Sequence, residues 1–588
     1  MSTDRLFPDI TPPNETVHAA DSPDSPWWRD AVIYQIYPRS WADSNGDGIG
    51  DLPGITARLP YLKELGVDAI WLSPFYVSPM HDAGYDVANY RDIDPVFGTL
   101  ADADALIAAA HGLGLRVIVD LVPNHSSSEH PWFQAALKAG PGSPERARYL
   151  FREGKGVDGG EPPNNWGSIF GGCGWSRVTE ADGSPGQWYL HIFDSTQPDF
   201  DWSNPEVADE FLAVQRFWLD RGVDGFRVDV AHGLVKEAGL PDFAGALHTP
   251  LNPLGTYFPM WDQDGVHEIY RTWRALADEF SARDNDVAGS GEDHDRILCA
   301  EAWVMELDRL ARYVRPDEMH QAFNFDFLET PWSADRLCEI IEASLRNNDA
   351  VGAPTTWVLS NHDVIRHATR LALDLTRPRP NGIGADDPQP DEVLGARRAR
   401  AATTMMLALP GSAYVYQGEE LGLPEHTTMP DEFRQDPTFH RTKGTDALQL
   451  GRDGCRVPMP WVKDAPSFGF GPGERTWLPQ PAAYAEHAVD TQDGVPGSFL
   501  TLYRDLLRYR RKHRFGHGSL TWHELCSDEV LAFVNTSGDG ERTVLVVTNF
   551  GPDPIALPEG SSVLITSGDL TSDRLVPTDT TVWAHAPR

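Results

Sequence analysis

Acidic, guanidinium and imidazole side chains recur at the ends of four short apolar runs. DLVPNH closes on Asn124 and His125, GFRVDVAHG carries Arg227 and Asp229, ILCAEAWV carries Glu301, and TTWVLSNHD ends in His362 and Asp363. Three carboxyls brought to one place can do acid and base work, provided their surroundings hold their charges apart. Arg227 lies two residues from Asp229, and an adjacent cation lowers a carboxyl pKa by about 1 to 3 units, so Asp229 is expected to stay ionised. Glu301 lies between Ala300 and Ala302-Trp303 with no cation beside it in the chain, a setting in which a carboxyl keeps its proton to higher pH. A lone aspartate at a strand end is ordinarily a helix cap. Four runs ending this way together point to a site.

Such a site needs a scaffold that gathers the ends of separate runs. Eight β-branched-rich runs begin at Ala31, Val67, Leu115, Gly222, Ile297, His320, Thr355 and Ser412, separated by helical or loop-length segments. That alternation belongs to a parallel βα sheet, and eight is the number at which it closes into a barrel with its functional residues at the C-terminal strand ends. Segments such as 101–114 and 204–222 have the apolar spacing of amphipathic helices. The expected fold is α/β: a (β/α)8 TIM barrel over 27–125 and 202–513, with a domain inserted at 126–201 after strand 3. An irregular extension is expected at about 424–481, and short alternating runs such as ERTVLVVTNF predict a C-terminal antiparallel β domain over 514–588. Residues 1–26 read as a polar, proline-rich tail.

The chain of 588 residues carries 49 Lys+Arg against 87 Asp+Glu, a formal charge of −38, which repels nucleic acid. The longest weakly polar stretch, Thr403 to Tyr416, is broken by Pro410-Gly411 and is shorter than the roughly 18 apolar residues of a membrane span. No membrane association is expected. The N-terminus lacks a basic start followed by an apolar core, and Cys173, Cys299, Cys338, Cys455 and Cys526 are odd in number and dispersed, without a CxxC pair. Both features point to reduced thiols in a cytoplasm.

The segment DSNGDGIGD sets Asp43, Asn45, Asp47, the Ile49 carbonyl and Asp51 at alternating positions, the oxygen spacing of a calcium loop. It is not an EF-hand, because Gly54 stands where the bidentate glutamate would be and a strand precedes it.

In order and spacing, DLVPNH, GFRVDVAHG, AEAW and SNHD resemble the four sequence regions of the α-amylase family of glycoside hydrolases. The opening WWRDAVIYQIYPRSWADSNGDGIGDLPGI, the block NNWGSIFGG and QPDFDW look most like bacterial α-glucosidases and oligo-1,6-glucosidases. The resemblance implies that Asp229 is the nucleophile, Glu301 the general acid and then base, and Asp363 the third carboxylate, which grips sugar hydroxyls. It implies substrate-binding roles for Tyr85, Asp86, His125, Arg227, His362, Arg456 and Phe170, with Arg456 pairing with Asp86 to close the pocket. It further implies a structural Ca²⁺ or Mg²⁺ in the Asp43–Asp51 loop and no organic cofactor.

The implied activity is a retaining α-glucosidase, exo-acting on short oligosaccharides because the insertion and the extension near Arg456 should wall one end of the site. The same residue set serves transglucosylases and sucrose- or trehalose-converting enzymes. QPDFDW and RVPMPW depart from the QPDLNW and RTPMQW of many relatives, and Val230 follows the nucleophile, which leaves linkage open between α-1,4 and α-1,6. A non-catalytic, transporter-associated homologue would need a membrane segment and lack the carboxylates, all three of which are present here.

Overall fold

Strands β1 (Val32–Ile36), β2 (Ala69–Leu72), β3 (Arg116–Leu121), β4 (Gly225–Val228), β5 (Ile297–Ala300), β6 (Gln321–Ala322), β7 (Thr356–Val358) and β8 (Ser412–Tyr416) form a single sheet in the computed structural model of the protein. The structure describes residues 11–585 except 23, 245–257, 289–292, 305, 375–379 and 447. Every pairing is parallel, in the order β6-β5-β4-β3-β2-β1-β8-β7, and a parallel bridge from Phe323 to Thr356 joins the two ends. The eight apolar runs are therefore the staves of a barrel. Its strands are buried on both faces, which is why they read as continuous apolar runs and not as alternation. Ile33, Trp71, Ile118, Cys299, Phe323, Val358 and Tyr414 fill the interior.

The first two helices, α1 (Leu52–Leu65) and α2 (Leu100–Gly112), pack outside, and each has a sequence-encoded start. Asp51 accepts a hydrogen bond from the Gly54 N–H at the head of α1, and Gly66 ends it at φ +97°. Thr99 and Asp102 form a reciprocal capping box on α2. Helix α3 (Pro205–Asp220) begins at Asn204 with proline in its first turn.

After β3 the chain leaves the barrel, forming the helix Pro131–Ala139 and an antiparallel sheet of Phe151–Arg152, Pro185–Leu190 and Trp175–Thr179. Leu150, Trp166, Trp175, Leu190 and Ile192 pack against Leu240, Phe243 and Met260 from the segment after β4. At the root of this excursion the buried Lys236 ammonium lies 2.9 Å from Asp199 and donates to Asn124 Oδ1 at 2.8 Å and to the Gly233 carbonyl. One lysine thus ties the insertion to the ends of β3 and β4.

Helix α4 (Phe499–His513) leads into strands Ser519–Trp522, Val530–Thr536, Thr543–Asn549, Ser562–Thr566 and Thr580–His585, all antiparallel. Part of the segment read as a polar tail carries structure. Thr16–His18 pairs with Ser519–Trp522 at the sheet edge, and Thr11 donates to the buried Glu342 carboxylate. Its polar residues were misleading because they hydrogen-bond to the domain instead of to water. Residues 1–10 lie outside the described set. The five cysteines are free, and among the described residues no helix is long and apolar enough to cross a membrane.

Candidate active site

Arg227 on β4 is the hub of the barrel mouth. Its Nη1 donates to Asp229 at 2.6 Å and to Asp120, on the neighbouring β3, at 2.8 Å, while its Nη2 lies 3.7 Å from Glu301 Oε2. The register that pairs Arg227 with Asp120 and with Cys299 brings the ends of β3, β4 and β5 level. Asp120 also accepts from Trp71 Nε1 at 3.0 Å and from the Tyr85 hydroxyl at 3.1 Å, so it serves as a fully buried counter-ion. Burial pushes it up to about 6 despite Arg227.

Burial also raises both Asp229 and Glu301, with Arg227 opposing the rise and the neighbouring carboxylates adding to it. The expectation that Arg227 simply holds Asp229 below the ordinary carboxylate range is thereby corrected, because one guanidinium is shared among several buried acids. Glu301 likewise has a cation near it that its place in the chain conceals. What separates the two is contact: the guanidinium donates directly to Asp229 and only approaches Glu301, which favours the charge on Asp229 and the proton on Glu301.

The opposite wall is a stack. The Tyr85 and His362 rings lie parallel with centroids 5.2 Å apart, and Tyr37 also stacks on His362 at 5.6 Å. The Gln35 amide nitrogen lies 2.7 Å from His362 Nδ1, an assignment that leaves Nε2 to carry the hydrogen and to point past Asp363 Oδ2 at 3.2 Å. Burial keeps this imidazole neutral, well below its ordinary pKa. His125, held by Gln197 and the Tyr85 carbonyl, is also neutral, pushed down to about 4 by burial. Asp363 goes the other way. Burial would raise it, but His362, Arg452 and Arg456 outweigh that and hold it well below the carboxylate range.

The rim departs from what the sequence led us to expect. Arg456 donates to Asp363 at 2.9 Å and to the His362 carbonyl at 2.8 Å, and not to Asp86. Asp86 is fully buried and accepts from the Ser78 hydroxyl and from the His81 and Asp82 N–H groups, which commits it to closing the 78–86 turn. The bridging pair is Arg452 with Asp82, at 2.7 Å. Arg452 also donates to Asp363 at 3.0 Å and to Asp436 at 2.6 Å, and its guanidinium sits 5.0 Å over the Phe170 ring. Asp82, Arg452, Trp71, Gln35 and Gln197 were not singled out as site residues by sequence reasoning. The available signal was Arg452 itself, a cation four residues before Arg456 in an otherwise irregular extension.

Beside Glu301, Trp303 is 43% exposed and stacks parallel on Phe325 with centroids 4.0 Å apart. It offers a flat apolar wall at the mouth.

The Asp43–Asp51 loop precedes α1 outside the barrel. Asp43 accepts from the Asn45, Gly46 and Gly48 N–H groups, Asn45 from Asp47, Asp47 from Ile49, and Asp51 from Ser44 and Gly54. No group of three or more His, Cys, Asp or Glu side chains that could hold a metal ion occurs among the described residues. The loop's oxygens are of the hard type that suits Ca²⁺ or Mg²⁺, and the side chains of Asp43, Asn45, Asp47 and Asp51 each also accept from a backbone N–H of their own loop.

Residues 35–517 match the family model described as alpha amylase, catalytic domain. The chain is 40% identical over 517 residues to a probable alpha-glucosidase of Rhizobium meliloti (strain 1021), covering 85% of each chain. It is 33% identical to an oligo-1,6-glucosidase of Parageobacillus thermoglucosidasius, over 89% of this chain and 90% of that one. Among solved structures, the alpha-glucosyl transfer enzyme XgtA superposes with a TM-score of 0.80 at 35% identity, covering 95% of this chain and 99% of that one. The trehalulose synthase MutB from Pseudomonas mesoacidophila MX-45 gives 0.78 at 30% identity, over 95% and 99%.

Proposed function

Because this chain belongs to the α-amylase family of glycoside hydrolases, we propose that it is a retaining, exo-acting α-glucosidase releasing glucose from the non-reducing end of short α-1,4- or α-1,6-glucosides. The observation that supports the exo reading is the Asp82–Arg452–Asp363 bridge, which spans from the 78–86 turn to the segment after β7 and, in this reading, closes the pocket beyond the terminal sugar.

In this reading the terminal glucose stacks on Tyr85, and its hydroxyls meet His125, His362 Nε2–H and Asp363. Asp229 attacks the anomeric carbon from the β face while Glu301 gives its proton to the glycosidic oxygen, so the C–O bond breaks as the β-glycosyl ester forms. Glu301, now ionised, takes a proton from water, which attacks from the α face, expels Asp229 and returns α-glucose. Trp303 on Phe325 would line the leaving-group side, which gives a second reading its footing. A sugar resting there in place of water would make the enzyme a transglucosylase, the activity in the name of one of its structural relatives. The Asp43, Asn45, Asp47, Ile49 and Asp51 oxygens would hold a Ca²⁺ or Mg²⁺ that ties the first βα loop together. The five free cysteines support a reducing, cytoplasmic setting.

The assignment of the carboxyls is tested with azide and an aryl α-glucoside whose leaving group needs little protonation. Glu301→Ala should still form the glycosyl-enzyme, which azide intercepts from the open α face to give α-glucosyl azide. In Asp229→Ala azide can only replace the missing nucleophile, giving β-glucosyl azide. The reverse pairing of products, or undiminished hydrolysis by Asp229→Ala, would overturn the assignment.

A further inference from the structure

Val230, next after Asp229, has φ +46°, a backbone conformation that β-branched residues rarely adopt. Its side chain is buried against Gly233, where an added Cβ would stand 2.6 Å from Val230 Cγ1, so the turn is packed into place. The turn wraps Glu301 completely: the Glu301 N–H donates to the Val228 carbonyl, the Ala231 N–H donates to the Glu301 carbonyl, and the Val230 N–H reaches Glu301 Oε2 at 2.6 Å. In a continuing β-strand successive N–H groups point to opposite sides. The left-handed residue aims those of Val230 and Ala231 at the same glutamate.

Resting on the reading of Glu301 as general acid, we propose that Val230 is a positioning residue whose backbone N–H fixes Glu301 Oε2 as the accepting oxygen, leaving Oε1 to carry the transferable proton. The Arg227 guanidinium approaches the same Oε2 at 3.7 Å, so both positive groups face one oxygen. A proton on Oε2 would meet them head-on, whereas one on Oε1 is free to be passed on. The other charged or titratable groups facing Glu301 are Asp229 on the same turn, His232 just after it, whose ring hydrogen-bonds to the Glu301 backbone and is kept neutral by burial, Asp120 at the end of β3, and Asp363 after β7.

The test replaces Val230 by its α-hydroxy acid, which keeps the side chain and removes only the N–H. Losing a donor that favours the charged carboxylate should raise the Glu301 pKa, so the basic limb of kcat/KM should move up by about one pH unit. The loss in rate should be smaller for an aryl glucoside with a good leaving group than for maltose. Val230→Gly, which keeps the N–H and tolerates the conformation, should leave the basic limb in place. In [¹⁵N]valine-labelled wild-type enzyme one amide resonance, absent from Val230→Gly, should titrate with that limb, a readout independent of whether the ester variant folds. A basic limb unmoved in the ester enzyme, or no valine amide titrating with it, overturns the role of Val230 while leaving Glu301 as the acid. Full activity in Glu301→Gln would overturn both.

Discussion

Two arginines organise the pocket, and they differ in how much of their work a reader of the chain can see. Arg227 and Asp229 are two residues apart, so their contact follows from local spacing, though Arg227's sharing with Asp120 does not. Arg452 meets Asp82 across 370 positions, and nothing near either residue announces the pair. Its guanidinium serves Asp82, Asp363 and Asp436 at once, so deletion leaves three carboxylates facing one another. Burial already pushes Asp82 up to about 6 with Arg452 present, and without it Asp82 would hold a proton to still higher pH. We expect Arg452→Ala to lower kcat/KM for maltose about 100-fold, equivalent to about 2.7 kcal/mol of transition-state stabilisation. Arg452→Lys should recover little of this, because an ammonium cannot span the same three partners. Steady-state rates on maltose check it, and a loss below about threefold would remove Arg452 from the site.

At the scale of elements the barrel was legible because its strands are buried on both faces and its helices carry Asp51, Thr99 and Asn204 at their starts. The segments that depend on partners distant in the chain were not. Thr16–His18 is a strand only because Ser519–Trp522 offers an edge, and the excursion after β3 is anchored by a lysine that follows β4. Replacing Lys236 by methionine fills its volume but leaves Asp199 buried and unpaired, a loss of about 3–5 kcal/mol. The melting temperature should fall by several degrees, and adding Asp199→Asn should restore part of it; an unchanged melting temperature would show that the ammonium is not the tie. The Asp43–Asp51 loop allows a second test at this scale. An ion bound to the folded state alone adds about 2.7 kcal/mol at a hundredfold excess over its Kd. A chelator should therefore lower the melting temperature of the wild type while leaving Asp47→Ala unaffected. Equal melting curves with and without chelator, together with no divalent metal in the purified protein, would count against the ion.

For the whole molecule, pH acts on two opposed sets of buried groups. Burial lowers His125, His130 and His426 to about 4 and His232 and His367 to about 3, so between there and pH 6.5 the unfolded chain binds more protons and stability rises with pH. Burial raises Glu419 to about 8, Glu425 to about 7, and Asp82 and Asp120 to about 6, so from roughly pH 4.5 upward the folded state binds more protons and stability falls as pH rises. Carboxylates lowered by partners, Asp363 and Asp436 among them, contribute their full share above about pH 4 and do not change within this window. Above pH 6.5 the raised acids still titrate, His517, raised against burial by its hydrogen bonds to Asp21 and Asp30, gives up a stabilising proton in the same sense, and the formal charge of −38 adds self-repulsion in the same direction. Stability should therefore peak between about pH 5 and 6.5 and decline toward pH 8. Glu419, accepting from the Tyr416 N–H and the Tyr503 hydroxyl, contributes roughly 1–2 kcal/mol of that decline between pH 6.5 and 8. In Glu419→Gln the fall in melting temperature over that interval should flatten. A wild-type melting temperature level from pH 6.5 to 8, or a decline equally steep in Glu419→Gln, would show that this carboxyl does not hold its proton in the folded state.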